Sequence, residues 1–440
     1  MSRRRREPRR IEGVSVESLS HEGRGIARIE GKTVFIHGAL PGERVDIELT
    51  RSHRDHDEAD AIAIHEASPE RVTPRCEVYG RCGGCATQHM SPALQLKFRE
   101  QALFDQLGRA TGNAPVQRLA PLTGEAWHYR RRARLGAKYV PGKGGALVGF
   151  RERLKYFLTD MRGCHTLERK AAALIVPLRE LISSLSIRER VPQIELAAGD
   201  DALALVLRVL APPDEHDRAL LDAFEAEHDV SLYLQTGGPN TVVPLSSRSR
   251  PLTYRLAAFD VEFDFLPTDF VQVNAALNEA MVGRVVDLLE PHEGLRVLDL
   301  FAGLGNFTLP LARRGCRVRA VEGERTLVAR ARENALRNGL PEVEHALADL
   351  FDDSPAAEWM QGRWDRVLLD PPRAGARQVC EAMDRLEPGR IVYVSCNPAT
   401  LARDAGVLVQ RHGYHMSAAG VLDMFPQTAH AEAVAVFDRG

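Results

Sequence analysis

At 440 residues, with 44% hydrophobic and 27% charged residues, the chain has the length for roughly three domains of about 150 residues and the composition to fill their cores. It contains no run of 18 or more apolar residues, and no apolar core follows the arginines at its start. A helical membrane span and a signal peptide are therefore excluded, and a cytoplasmic protein with reduced or metal-bound cysteines is expected. The formal charge of −2 does not announce a polyanionic partner, but the local distribution of charge does.

Residues 1–10 carry six arginines and one glutamate and read as a disordered basic arm. From 11 to 68 the chain alternates in short β-like runs parted by glycine turns at Gly23–Gly25, Gly31 and Pro41–Gly42, which predicts a small closed β-barrel. The segment EGRGIARIEGKTVFIHGALPGERV resembles the TRAM domain, an OB-like barrel; that resemblance implies RNA binding.

A central α+β domain is expected over 69–265, with a helix-like stretch Pro92–Gly108 inside a 92–118 segment that could pack on either neighbour. Cys76, Cys82 and Cys85 form C-x5-C-x2-C, and Cys164 lies far downstream in MRGCHTLE. Four thiolates suit tetrahedral zinc or an iron–sulfur cluster equally, and the spacing does not separate them. Residues 126–155 hold nine Lys or Arg against one acid, interleaved with Trp127, His128, Tyr129 and Tyr139. Such a stripe is an electrostatic footprint for phosphates. A hairpin turning at Gly199–Asp201 and a polar-faced helix from Pro213 to Glu227 follow, with no acid–base pair or phosphate loop among them.

From 266 onward the pattern is that of an α/β fold. Asn274 is placed to cap a helix running to Leu289. RVLDLFAGLGNFTLPLARRG then reads strand, glycine turn, helix, with Gly303 and Gly305 permitting close approach of a ligand, and Glu322 lies at the end of the next strand, 19 residues beyond Gly303. Thr308 stands where a dinucleotide fold wants its third glycine, and no phosphate-grasping lysine is present, so S-adenosylmethionine fits better than NAD. Later strands place Asp349, Asp370 and Cys396 at the carboxyl edge, where such sheets bind ligands. A last strand is expected to begin at Glu432.

Cys396, at the end of IVYVS, has a bland reading as a buried small hydrophobe. In the methyltransferase variant of this fold, however, the last strand is antiparallel, which would bring Glu432, Cys396 and Asp370 together. A thiolate adding to C6 of uracil makes C5 nucleophilic, and a carboxylate can then remove the C5 proton.

DFVQVN, LDLFAGLGNFTLPLA, LLDPPRAG, VSCNPATLARD and DMFPQTAHAEAVAVF resemble the bacterial uracil-5 RNA methyltransferases. The resemblance implies a Rossmann-like class I methyltransferase domain over 266–440, with Cys396 as nucleophile and Glu432 as base. It puts Gln272, Phe301, Asn306, Glu322, Asp349 and Asp370 on the cofactor-binding positions, Gln272 and Asp370 also near the target base. It makes Cys76, Cys82, Cys85 and Cys164 ligands of a [4Fe-4S] cluster. Within the family the tRNA enzyme lacks both barrel and cluster. The enzyme acting on uracil 1939 of 23S rRNA has both, as does a dual-site relative that also acts elsewhere in RNA. The resemblance thus implies 23S rRNA as partner, with neither DNA nor membrane, and a monomer by default. A reading from another class is a non-catalytic iron–sulfur RNA-binding protein, which would release no tritium from C5-labelled uracil.

Overall fold

A computed structural model of the chain describes residues 9–352 and 358–440. Apart from Arg9 and Arg10, the expected basic arm lies outside the described residues. The chain forms two compact units. One runs up to Ala102 and includes Phe425–His430; the other comprises Leu103–Met424 and Ala431–Gly440.

The first unit opens with β1 (Arg10–Ser15), β2 (Ser18–Leu19), β3 (Gly25–Ile29), β4 (Lys32–His37), β5 (Arg44–Ser52) and β6 (His56–Glu66), in the sheet order β1-β5-β6-β4-β3-β2. Alternation decides which face is buried: Val34 and Ile36 of β4 point inward with Val14, Ala27, Val45, Ile47 and Ala59, while their neighbours in the strand are partly exposed. The expected closed barrel is corrected here. Among the described residues β1 and β2, at the two ends of the sheet, share no ladder, because β2 has two residues and its register is spent on β3. Between them, Val16 N donates to Glu43 O (3.0 Å) beside β5 and Glu17 N to Ile26 O of β3 (2.8 Å), so each bond prolongs an existing ladder. Buried Glu43 closes the unit by accepting from Leu40 N (2.8 Å) and from Arg71 Nη2 (2.7 Å). Phe425–His430 joins this unit through the first half of helix Pro92–Thr111. Gln95 Nε2 donates to Gln427 Oε1 and the backbone N of Gln427 donates to Gln95 Oε1, both at 3.1 Å, and Arg99 Nη2 donates to Thr428 O at 2.7 Å.

The second unit contains two main sheets. The first uses β8 (Arg132–Val140), β9 (Gly145–Gly149), β10 (Gln193–Ala198), β11 (Leu203–Arg208), β12 (Ser231–Gln235) and β13 (Val242–Pro244) in the order β13-β12-β11-β10-β8-β9, following a two-residue β7 (Gln117–Arg118) that pairs elsewhere. Helices Ile175–Ser184 and Glu215–His228 bury Leu178, Ile182, Leu221 and Phe224 in its core. A hairpin of β14 (Leu252–Leu256) and β15 (Val261–Phe265) follows.

The second main sheet consists of β16 (Arg296–Leu300), β17 (Arg317–Glu322), β18 (Glu344–Leu347), β19 (Arg366–Leu369), β20 (Arg390–Ser395), β21 (Tyr414–Leu422) and β22 (Glu432–Arg439), in the order β18-β17-β16-β19-β20-β22-β21-β7. The first five pair in parallel; β16, β17, β19 and β20 are rich in buried Val, Ile and Leu, as strands covered on both faces must be, whereas edge strand β18 is part-exposed. β22 runs antiparallel to both β20 and β21. No helix of the described residues is long and apolar enough to cross a membrane.

Candidate active site

The loop after β16 is held open by its own backbone. Phe301, Gly303 and Gly305 have φ of 65°, 56° and 91°, and a Cβ placed on Gly303 would meet nothing within 4 Å. Glycine is required there for conformation, and the empty space beside it is a cradle for a ligand. Glu322, at the end of β17, organises two loops at once. Its Oε2 accepts from Gly303 N (3.0 Å) and its Oε1 from Gly323 N (2.7 Å) and Glu324 N (3.0 Å). A carboxylate fixed by three N–H groups keeps lone pairs for a diol without having to reorganise.

Asn306 is similarly committed. Its amide exchanges two bonds with Asn278 (3.0 and 2.9 Å) and accepts from Tyr254 OH (3.1 Å), which ties the glycine loop to helix Ala275–Leu288 and to β14. Asn274 caps that helix by accepting from Leu277 N, as its position in the sequence predicts. Gln272, just before it, lines a small cavity with Arg131, Tyr254, Phe265 and Asn278. Past β18, Asp349 Oδ1 accepts from Phe351 N (2.9 Å), and the Phe351 ring lies 5.7 Å from that of Phe301, beside the same loop.

The other side of the sheet edge is crowded with acidic groups. β20 and β22 pair with Ser395 opposite Ala433, so one residue further on Cys396 faces Glu432. β19 runs beside β20 with Leu369 opposite Tyr393, which puts Asp370 at the same edge. Burial pushes the half-buried Cys396 thiol up to about 11, the negative charges of Glu432 and Asp370 add to this, and Arg373 opposes it. Glu432, 3% exposed, is held well above the carboxylate range by burial and then by Asp370, again with Arg373 opposing. Asp370 rises to about 7 through burial, with Asp299 adding. Asp299 also reaches about 7 by burial; its Oδ2 accepts from Thr308 Oγ1 (2.5 Å), while buried Oδ1 has no hydrogen-bond partner. Asp370 acts on both Cys396 and Glu432, Glu432 acts on Cys396, and Arg373 opposes both shifts, which makes these four one electrostatic site.

Sequence reasoning passed over the residues that shape this edge. Helix Pro398–Gly406, capped by Asn397, follows the cysteine directly. Asn397 Nδ2 (3.1 Å) and Thr400 Oγ1 (3.3 Å) donate to Arg373 O, and Arg403 Nη2 to Ala374 O (2.8 Å). Asp404, fully buried, accepts from Ala376 N, Tyr393 OH and Arg403 Nε, each at 2.8 Å. One helix thereby grips the Asp370–Ala376 loop at three successive points. The spacing of Asn397, Thr400 and Asp404, at i, i+3 and i+7, was the available signal, since it puts all three on one helical face.

The cysteines are distributed between the two units. Cys76, Cys82 and Cys85 lie on a tight loop of the first, where Cys82 N donates to Val78 O (2.9 Å) and Gly84 N to Cys82 Sγ (3.4 Å). Cys164, in the second unit, sits 3.2 Å from Thr166 Oγ1. The basic stripe is largely engaged with acids of its own unit: Arg131 with Asp200, Arg134 with Glu195, Lys143 with Asp160.

Comparison with known proteins agrees with this geometry. A family model described as tRNA (Uracil-5-)-methyltransferase matches residues 252–350 and 357–439, and a TRAM domain model matches 5–62. The chain is 50% identical over 438 residues to the 23S rRNA (uracil(1939)-C(5))-methyltransferase RlmD of Alkalilimnicola ehrlichii, covering 99% of this chain and 98% of that one. It is 49% identical to the protein of the same name from Nitrosospira multiformis, with 97% and 98% covered. Among solved structures, the Pyrococcus abyssi tRNA (uracil-54, C5)-methyltransferase in complex with S-adenosyl-L-homocysteine superposes with a TM-score of 0.72 at 26% identity, over 97% of this chain and 100% of that one. With half its residues identical to such relatives along nearly its whole length, the chain belongs to the RNA uracil-C5 methyltransferase family and is an S-adenosylmethionine-dependent enzyme.

Proposed function

We propose that the chain methylates C5 of uracil 1939 in 23S rRNA, with Cys396 as the nucleophile and Glu432 as the general base. The observation that carries this reading is the β20–β22 register, which sets a thiol and a buried carboxylate face to face at the sheet edge that also carries the glycine loop after β16. The names of the half-identical relatives support the choice of substrate. The TRAM segment supports RNA binding, and work on ribosomal RNA belongs in the cytoplasm.

The residues present fit S-adenosylmethionine. Gly303 leaves room for it, Glu322 offers a fixed carboxylate at the ribose position, and Phe301, Asn306, Asp349, Asp370 and Gln272 surround the same edge. When bound, it supplies a methyl group on a positively charged sulfur. The chain's own groups do the rest. The target base leaves its stack to enter the edge. Cys396, part-exposed, gives its proton to solvent, a step the Arg373 charge favours, and its sulfur bonds to C6 while the C5=C6 pair moves toward O4. C5 is then the nucleophile that accepts the methyl. Glu432, made strongly basic by burial, takes the C5 proton; the C–H pair re-forms C5=C6, and the C6–S bond breaks to release the thiolate.

The chemistry of Cys76, Cys82, Cys85 and Cys164 fits a [4Fe-4S] cluster. The N–H of Gly84 directed at Cys82 Sγ is the kind of bond that stabilises a thiolate ligand. There the cluster would brace the loop. Protein purified without air should be brown with about four irons; a colourless protein with one zinc would overturn this assignment.

The decisive test uses an rRNA fragment with 5-fluorouridine at the target. Fluorine cannot leave as the proton Glu432 would remove, so the adduct should persist, and mass spectrometry should place the nucleotide on the peptide bearing Cys396. A trapped nucleotide on another residue, or none, would defeat the reading.

A further inference from the structure

The basic stripe was expected to meet RNA through aromatic rings interleaved with cations, yet its own rings are taken. Tyr129 is buried, Arg188 lies over the Tyr139 ring at 4.8 Å, and Trp127 packs edge-on against His165 at 6.1 Å. At the stripe's far end the chain makes a finger, Phe150–Leu158, that does the reverse. Tyr156 is 93% exposed and Phe157 67%, side by side at its tip among Arg151, Arg153 and Lys155.

The finger is anchored, so this exposure is not loose chain. Its stem pairs Arg151 with Leu158, Thr159 N donates to Phe150 O (2.9 Å), and Glu152 N donates to Phe157 O (2.8 Å). Leu158 packs against Gly136 of β8 so closely that a Cβ there would sit 2.4 Å from Leu158 Cδ2. Arg151 Nη1 donates to Tyr156 O (3.2 Å), fixing the tip from beneath. Two adjacent rings held out into solvent cost hydration unless a partner covers them. Beside the rings Arg151 and Lys155 are exposed, Lys155 with Glu152 3.8 Å away, and such cations match phosphates. Stacking rings beside cations are how proteins hold unpaired nucleobases of any sequence.

We propose that the 150–158 finger is a stacking platform for unpaired bases of the RNA substrate, with Tyr156 and Phe157 carrying the bases and Arg151 and Lys155 near the backbone phosphates. This rests on the RNA methyltransferase reading and adds to it the part of the chain that captures single-stranded RNA. Neither ring belongs to the catalytic edge, so the finger acts on binding and leaves the chemical step alone.

The experiment uses the full-length enzyme and an rRNA fragment containing the target. In Y156A/F157A, KM for RNA should rise about 30-fold, with kcat and KM for S-adenosylmethionine within about twofold of the parent. Y156L/F157L, apolar but without π-faces, should lose as much, while Y156W should retain parental KM. Anisotropy with a fluorescein-labelled single strand lacking uridine reads the finger without catalysis. Its affinity should fall in parallel, and affinity for a perfect duplex should not change. An unchanged KM in the alanine variant, full recovery by the leucine pair (an apolar protein contact or a second copy of the chain), or an equal loss on duplex would each overturn the proposal. A parent enzyme that binds the strand through the finger but methylates no uridine would instead sink the enzymatic reading alone.

Discussion

Asp299 within β16 apart, the two halves of the large sheet's carboxyl edge treat polar groups in opposite ways. On the β16–β18 side, Glu322 holds three N–H groups and Asn306 has its amide fully engaged with Asn278 and Tyr254. On the β19–β22 side, burial drives Asp370, Cys396 and Glu432 up in pKa, with Asp299 adding to Asp370, Asp370 to Glu432, and both Glu432 and Asp370 to Cys396. A binding surface benefits from groups already satisfied, because nothing must reorganise when the ligand arrives. A reacting surface needs groups held away from their preferred ionisation, so that proton transfer and bond formation relieve the tension. Under the proposed mechanism, the contrast would put chemistry on β20–β22 and recognition on β16–β18.

The sharpest way to break this comparison is to remove the base. Glu432→Gln should lower turnover by about 10³-fold while still forming the Cys396 adduct, which would accumulate as an RNA–protein band on denaturing gels. Loss of turnover with no band would mean that Glu432 serves attack rather than deprotonation.

Next in size is the clasp between the halves of the reacting side. Asp404 satisfies two donors besides Arg403 in a fully buried setting, so Asp404→Ala leaves Tyr393 OH without its acceptor and Ala376 N–H with only the longer bond to Tyr393 Oη (3.1 Å). A loss of about 3 kcal/mol in unfolding free energy is expected. Turnover should fall at temperatures where the variant is still folded, because the Arg373 loop drifts. Unfolding midpoints that match the parent would show that the clasp is decorative.

Asp299 offers a smaller and pH-dependent effect. Its carboxyl sits at about 7 in the fold, above the ordinary value, so the folded state binds the proton more tightly than the unfolded chain. Its contribution to stability is therefore greatest at low pH and is lost as pH rises through 7. Asp299→Asn should be more stable than the parent by about 2 kcal/mol at pH 8 and by nearly nothing at pH 5. A gain of equal size at both pH values would show that titration of Asp299 is not the cause.

Much of this architecture was legible because it is written locally. A β-branched run ending in Ser395, the cap at Asn274 and the start of the last strand at Glu432 each depend on a handful of adjacent residues. What stayed hidden depends on residues distant in sequence. The stripe's cations look free in a 30-residue window, yet Arg131 and Arg134 find Asp200 and Glu195, more than 60 positions away. Barrel closure turned on how many rungs β2 could offer, and alternation does not encode that number. β21 went unread because a bulge between Met416 and Ala418 interrupts its alternation and Ala and Gly fill its centre. The gripping face of the helix after Cys396 was visible in spacing, but its target, a loop some 25 residues earlier, was not.

Arg373 gives the finest test of the contrast, because it is the positive charge on the crowded side. Its charge pulls the Cys396 thiol down against burial, Glu432 and Asp370. Arg373→Gln should therefore leave the thiol higher still and lower the thiolate fraction at any pH below about 11. Since the thiolate is the reactive form, alkylation of Cys396 by iodoacetamide at pH 8 should slow about threefold, a modest figure because Arg373 is exposed and screened. In both proteins the rate should climb about tenfold per pH unit, with the variant's curve displaced to higher pH. Curves that superimpose would mean the guanidinium does not reach the sulfur; it would then serve only through its backbone carbonyl, as the anchor for Asn397 and Thr400.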